Sequence, residues 1–358
     1  MSNARKLADN LPTEGSLSGR NLIINGDMSV SQRIGTTATA ITGGSYGIDR
    51  WHAYYLGNSF TTQQVTDAPS GFYNSMKLLV TGTTTPTYSF FSQKLEGNNV
   101  NHIGLGTANC QSFTVSFYVK SSVAGIYSIS MTNGAGDLAY PVQYTINSAN
   151  TWERKTITVP PITSGTWPKD NTVGLAIRVN LGSPSSRTDT SGAWSSGNFD
   201  GADGSTGAVT WATTSGATFY MTGCQIEVGS QSTPFEHEPV GVTLSKCQRY
   251  YYETPGVQAG NAGTSADVIL YHTYTKSASA WEWLGQEFPV VMRAQPTATC
   301  HDGTTFGKIG HWTSAGGGST TGHSPWQVLA KNNRIYVNEY ATSGIYGFYY
   351  NYKVDAEL

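Results

Sequence analysis

Residues 219–253, FYMTGCQIEVGSQSTPFEHEPVGVTLSKCQRYYYE, constrain the fold more than any other part of the chain, because they read as a junction between two all-β modules. Tyr220, Thr222, Cys224, Ile226 and Val228 take alternate positions, so in a strand they share one mainly apolar face, while Gln225 and Glu227 take the outward one. Gly229 and Ser230 stop the strand and Thr233, Pro234 and Phe235 turn the chain. A short segment bearing Lys246 and Arg249 then leads into Tyr250, Tyr251 and Tyr252, where a second module begins.

On either side of the junction the apolar pattern has period two. Over residues 112–120, Phe113, Val115, Phe117 and Val119 alternate with Thr114, Ser116, Tyr118 and Lys120, the signature of a strand buried on one side. Tyr127, Ile129 and Met131 repeat the pattern, as do Val173, Leu175, Ile177, Val179 and Leu181, and residues 22–24, 46–55 and 152–159 are strand-like as well. No comparable stripe of period 3.6 is present. The fold class is therefore all-β: an N-terminal jelly-roll β-sandwich over residues 21–241, then a smaller C-terminal antiparallel β domain over residues 242–358. Strands of the second domain are expected at residues 268–274, 288–292, 335–340 and 346–354. Residues 1–20 are polar, with Pro12 and leucines only at Leu7, Leu11 and Leu17, and read as an arm, either a mobile tail or a segment that orders against a partner assembly.

Charged residues make up 12% of the 358, about half the roughly 25% usual in soluble proteins. With a formal net charge of −2 and no cluster of Lys and Arg, the chain lacks the electrostatic footprint of a nucleic-acid binder. No apolar run is long enough to span a bilayer, and the first residues lack the basic-then-apolar order of a secretion signal, so synthesis in a cytoplasm without membrane insertion is expected. Cys110, Cys224, Cys247 and Cys300 are widely spaced with no C-x-x-C pair, which points to buried free thiols.

Several pieces of this chain, in this order and spacing, resemble tail-fibre and related virion proteins of bacteriophages and prophages, some of which join a jelly roll like that of carbohydrate-binding modules to a small C-terminal β domain. The pieces are NLIINGDMSVSQR (residues 21–33), YGIDRW (46–51), TGCQIEVGSQSTPFE (222–236), CQRYYYE (247–253), FPVVMRAQPT (288–297) and VDAEL (354–358). The resemblance implies a non-enzymatic virion component, made in the bacterial host cytoplasm, oligomeric, and presenting receptor-binding surfaces on a tail or another part of the particle. It implies no ligand and no cofactor. The arm would then join other virion proteins.

Candidate site residues follow from aromatic placement. Trp281 and Trp283 alternate with Glu282, and Trp312 and Trp326 flank a glycine-rich stretch, so Trp281, Trp312 and Trp326 are candidate contacts for a host-surface glycan, whose rings stack on flat aromatic faces. Tyr346, Phe348, Tyr350 and Tyr352 share one strand face, and with Tyr250 and Tyr252 they offer aromatic surface for packing between the subunits of a homo-oligomer, expected to be a trimer. Two other readings stand beside the fibre: a capsid-associated or otherwise structural virion protein without receptor binding, and a polysaccharide hydrolase. For hydrolysis the carboxylate pairs are Asp200 with Asp203 and Glu282 with Glu287, both read as solvated surface. Asn25, Asp27 and Glu227 would lie near the calcium position of some sugar-binding jelly rolls, yet no dense carboxylate cluster accompanies them, and no metal is assigned.

Overall fold

The computed structural model describes residues 19–41, 43–254, 270–273, 280–301, 309–312, 319–323, 325, 327–331, 333–341 and 347–358. Its chain divides into two compact units, one holding residues up to Ser29, Thr36–Pro239 and Leu358, the other Val30–Gly35 and Val240–Glu357. In the first unit the alternating segments become two antiparallel sheets. One runs in the order β1 (Thr39–Ala40), β4 (Ser59–Val65), β5 (Ser75–Gly82), β15 (Thr218–Val228), β7 (Phe113–Ser121), β10 (Glu153–Val159). The other runs β13 (Ser195–Ser196), β9 (Leu138–Ile146), β8 (Gly125–Asn133), β11 (Val173–Asn180), β6 (Tyr88–Glu96), β3 (His52–Leu56), β2 (Ser45–Tyr46). Strands distant in sequence lie side by side, and this unit is a jelly-roll β-sandwich.

Apolar side chains from both sheets meet between them. Phe113, Val115, Phe117 and Val119 from β7 face Ile129 and Met131 of β8 and Leu175, Ile177 and Val179 of β11, all fully buried. Phe219 is the ring that joins the layers, with centroids 5.9 Å from Phe91, 5.8 Å from Tyr127 and 6.2 Å from Trp211. The helix Thr206–Thr213 brings Trp211 into this core. The long polar stretch between Gly182 and Thr214 is thus built into the sandwich, where it also forms β12 (Thr188–Asp189) and β14 (Gly201–Ala202).

β15 departs from the simple alternation read from its sequence. Its pairing with β7 slips between Thr222 and Gln225, so two residues oppose one and the face reverses. Before the slip Phe219 and Met221 point into the core; after it Cys224 and Ile226 do. Tyr220 and Thr222 therefore lie on the outer face. Gly223 makes the bulge: its φ is +61°, and a Cβ there would stand 2.6 Å from the Phe72 ring.

The second unit forms around the strand β24 (Gly347–Asp355), which pairs with β16 (Tyr251–Glu253), β17 (Leu270–Thr273), β19 (Thr297–His301) and β20 (Ile309–Trp312). A three-stranded sheet of β18 (Ala280–Glu287), β23 (Arg334–Ala341) and β22 (Gln327–Lys331) accompanies it, and β21 (Ser319–His323) extends β20. Phe288, Met292, Cys300, Ile335, Val337, Tyr352 and Val354 form its core. Arg33 lies in this unit, with its guanidinium 3.5 Å above the Tyr251 ring and ion pairs to Asp355 at 3.1 Å and Glu357 at 3.0 Å.

Three local expectations are corrected. Residues 22–24 form a turn, although the Leu22 amide donates to the Ile226 carbonyl at 2.9 Å. Residues 288–292 are irregular, with Phe288 and Met292 buried as anchors. The segment with Lys246 is the helix Val240–Gln248, whose Thr and Ser residues hide any apolar stripe.

Candidate functional site

Each sheet of the sandwich has an outer face, and the chain itself covers much of both. Gln225 and Glu227 do point outward from β15, yet both are buried, because residues 229–236 fold back across the sheet. Glu227 accepts hydrogen bonds from the Thr233 amide at 2.8 Å and its hydroxyl at 2.7 Å, and lies 3.8 Å from Arg20. Gln225 accepts from the Glu236 amide at 2.8 Å, and Glu236 in turn accepts from the Asn21 amide at 2.8 Å. Further along, Thr114 donates to Gly229, Thr158 to Ser230 and Arg154 to Thr233. The covering segment ends where Phe235 meets Phe72.

On the other sheet, Asp200 is fully buried and takes ion pairs at 3.0 Å from both Arg178 and Arg187, with a further hydrogen bond from Ser183. This corrects the reading of Asp200 as solvated surface: two guanidinium groups hold its oxygens, while Asp203 stays exposed and accepts from Thr188. Nearby, Tyr46 and Lys94 both donate to the Leu358 carbonyl, at 2.9 and 2.7 Å. His52 and Phe90 are buried beneath these groups.

Among the open outward positions of the first sheet, one row carries aromatic rings and charges together. The register aligns Gln63 of β4 with Lys77 of β5, Lys77 with Tyr220 of β15, and Tyr220 with Lys120 of β7. Trp152, immediately before β10, completes the row: its indole centroid is 6.1 Å from Tyr220 and 5.2 Å from the Lys120 ammonium. Gln63, Lys77, Tyr220 and Trp152 are all half-buried, so side-chain surface remains in water at four of the five places, while Lys120, between Tyr220 and Trp152, is buried. Asp67, from the connection between β4 and β5, accepts from the Trp152 indole at 3.2 Å and pairs with Lys120. Burial works to raise the Asp67 carboxyl, but the Lys120 and Trp152 hydrogen bonds and the charges of Lys120 and Lys77 outweigh it and hold the group below its ordinary range. The Tyr220 phenol is pushed up by burial and by Asp67, so it stays a neutral donor.

Two flat rings set at 68° to each other, with a carboxylate and two ammonium groups within reach, make a corner that presents apolar faces and hydrogen-bonding groups together. The sequence reading missed both rings. It placed Tyr220 on the inward face because it carried one alternation through the bulge, and it took Trp152 as the first residue of a strand. A glycine inside a strand pattern, Gly223, was the available signal.

The residues named from sequence lie elsewhere. Trp281 is in β18 opposite Tyr340, and Trp312 ends β20 opposite Ser319 and Gly347. Trp326 and Tyr346 lie outside the described residues, as do the side chains of Trp281, Trp312, Phe348 and Tyr350 and residues 1–18 of the arm. Tyr250 and Tyr352 are buried, and Tyr252 is half-buried with its ring 5.5 Å from Tyr352. Among the described residues no three His, Cys, Asp or Glu side chains converge to hold a metal ion.

No family model and no curated protein matches the chain. Among solved structures, it is similar to the enzymatically active domain of tailspike protein 4 of bacteriophage CBA120, at 14% identity and a TM-score of 0.32, over 59% of this chain and 22% of that one. A family 4 carbohydrate-binding module matches at 13% identity and a TM-score of 0.30, over 57% of this chain and 98% of the module. The CBM22-1 xylan-binding domain of Xyn10C from Paenibacillus barcinonensis does so at 13% and 0.28, over 61% of this chain and all of that domain. The chain spans about a fifth of the tailspike structure's length.

Proposed function

We propose that this chain is a non-enzymatic bacteriophage virion component, a tail fibre or similar appendage, that binds host-surface glycan. The observation that carries the glycan reading is the open row Gln63, Lys77, Tyr220 and Trp152, with buried Lys120 between the two rings. It combines the two things sugar recognition uses, aromatic faces for the C–H side of a pyranose and polar groups for its hydroxyls. The virion assignment is supported by the motif order that resembles phage fibres, with residues 1–20 as the attachment arm and a homotrimer as the assembly. In the C-terminal unit Trp281, Trp312 and Trp326 are a second candidate contact. A weak site suits an appendage present in many copies, because attachment then depends on avidity.

The test is binding of the folded full-length chain to a panel of bacterial surface polysaccharides, with Trp152→Ala and Trp312→Ala/Trp326→Ala as separate variants. Loss of one stacking ring is expected to weaken binding by about 1 kcal/mol, close to fivefold. Loss in Trp152→Ala places recognition on the sandwich; loss in the double variant alone places it on the C-terminal unit. A protein that binds no cell and no glycan would be a structural virion component without a receptor role.

A further inference from the structure

The charges around the open row are uneven. Of the outward positions on β4, β5, β7, β10 and β15, those with ionisable side chains other than tyrosine are Lys77, Lys120, Arg154 and Glu227. Glu227 is buried under residues 229–236 beside Arg20. Among the described residues Asp67 is the one carboxylate facing the row; Lys120 and Trp152 occupy it, and Lys77 acts on it only through its charge, without an ion pair. Arg154 donates to the Thr233 carbonyl at 2.8 Å, which leaves its charge uncompensated. Lys77 has neither an ion pair nor a hydrogen bond. Its ammonium stands 6.0 Å from the Tyr220 ring centroid and is half-exposed. A chain whose formal net charge is −2 thus presents a locally cationic sheet face at the place where its aromatic rings are open.

From this we infer that the glycan bound at this face is anionic, a polysaccharide whose repeating unit carries a carboxylate, such as a hexuronate. The inference rests on the glycan reading of the same face. The pyranose ring packs in the corner of Trp152 and Tyr220, and its carboxylate reaches the Lys77 ammonium, one strand away from Tyr220 in the same row. Neutral glycans fill the corner without using Lys77. Lys120 does not serve as the primary anion contact, because Asp67 competes for it. Since Lys77 is half-exposed, its contribution is screened, so binding weakens as salt is raised.

The experiment measures affinity electrophoresis of the full-length chain in gels containing polygalacturonate, with dextran as the neutral probe, for the wild type, Lys77→Gln and Trp152→Ala. Circular dichroism confirms that each variant is folded. The expected result is retardation by polygalacturonate and not by dextran, weakened about fivefold in Lys77→Gln, reduced in Trp152→Ala, and diminished by added salt. Equal retardation by both polymers, lost in Trp152→Ala and unchanged in Lys77→Gln, would overturn the anionic assignment while leaving the glycan reading intact. Retardation by polygalacturonate that neither substitution alters would remove this face as the site. No retardation by either polymer would overturn both readings of the face.

Discussion

Single residues in this chain carry chemistry set by what encloses them. Cys224 and Cys300 are fully buried, and burial pushes both thiols up, Cys300 to about 12. Cys247 is buried too, and Cys110 alone is half-exposed. Native protein at pH 8 is therefore expected to take up one equivalent of a thiol reagent, at Cys110, and four after denaturation, as counted by mass spectrometry. Labelling of Cys224 or Cys300 on the same timescale would mean that the core opens readily. The sign of the pH effect on stability follows from the raised values. These thiols stay protonated in the fold while the unfolded chain ionises near its ordinary value of about 9, so stability is intact below that value and falls as pH rises from there toward about 12. Asp200 obeys the same logic of enclosure. Without its neighbours it reads as one more loop aspartate, and only the arrival of Arg178 and Arg187 makes it a buried hub.

Elements, by contrast, were legible wherever the apolar period ran unbroken. β7, β11 and β24 appear in the fold within a residue of the alternation read from their sequences, because a strand buried on one face needs that pattern. The helices at Thr206–Thr213 and Val240–Gln248 were not legible: each spans about two turns and is rich in Thr, Ser and Gly. The outward positions of Thr114 on β7 and of Gln225 and Glu227 on β15 were legible in direction and not in burial, since only the fold brings residues 229–236 across them. The candidate site was hidden by a single glycine. Because Gly223 reverses the face of β15, it determines that Tyr220 joins the open row and Phe219 the core. Gly223→Ala places a Cβ against the Phe72 ring at a positive φ, and is expected to destabilise the chain by about 1–3 kcal/mol in urea denaturation. A neutral outcome would show that the bulge relaxes into regular pairing. Tyr220 would then turn inward.

Across the whole molecule, the sequence pieces that resemble phage fibres turn out to be framework. Asn21 ties residues 21–26 to β15 by accepting from the Ile226 amide; Asn25 accepts from the Trp51 indole and donates to Asp49; Arg33 pairs with Asp355 and Glu357 and covers Tyr251. None of Lys77, Lys120, Trp152 and Tyr220 falls within those pieces. A scaffold held by one set of residues can therefore carry a candidate ligand row built from another, and the motifs name no ligand. The same separation bears on assembly. Tyr250 and Tyr352 are already buried in the single chain, Tyr352 against Tyr252 and Phe288, so a neighbouring subunit is not needed to cover them. The trimer proposal then rests on the alternation of Tyr346, Phe348 and Tyr350 in the sequence, three aromatics that would share one face of a strand. Light scattering coupled to size exclusion at micromolar concentration is expected to give three times the 38.4 kDa chain mass. Phe348→Ser with Tyr350→Ser should shift that mass toward the single chain while the circular dichroism spectrum is kept. A wild-type chain that elutes as a monodisperse monomer would sink the proposal. A trimer that persists in the double variant would move the seam to another surface.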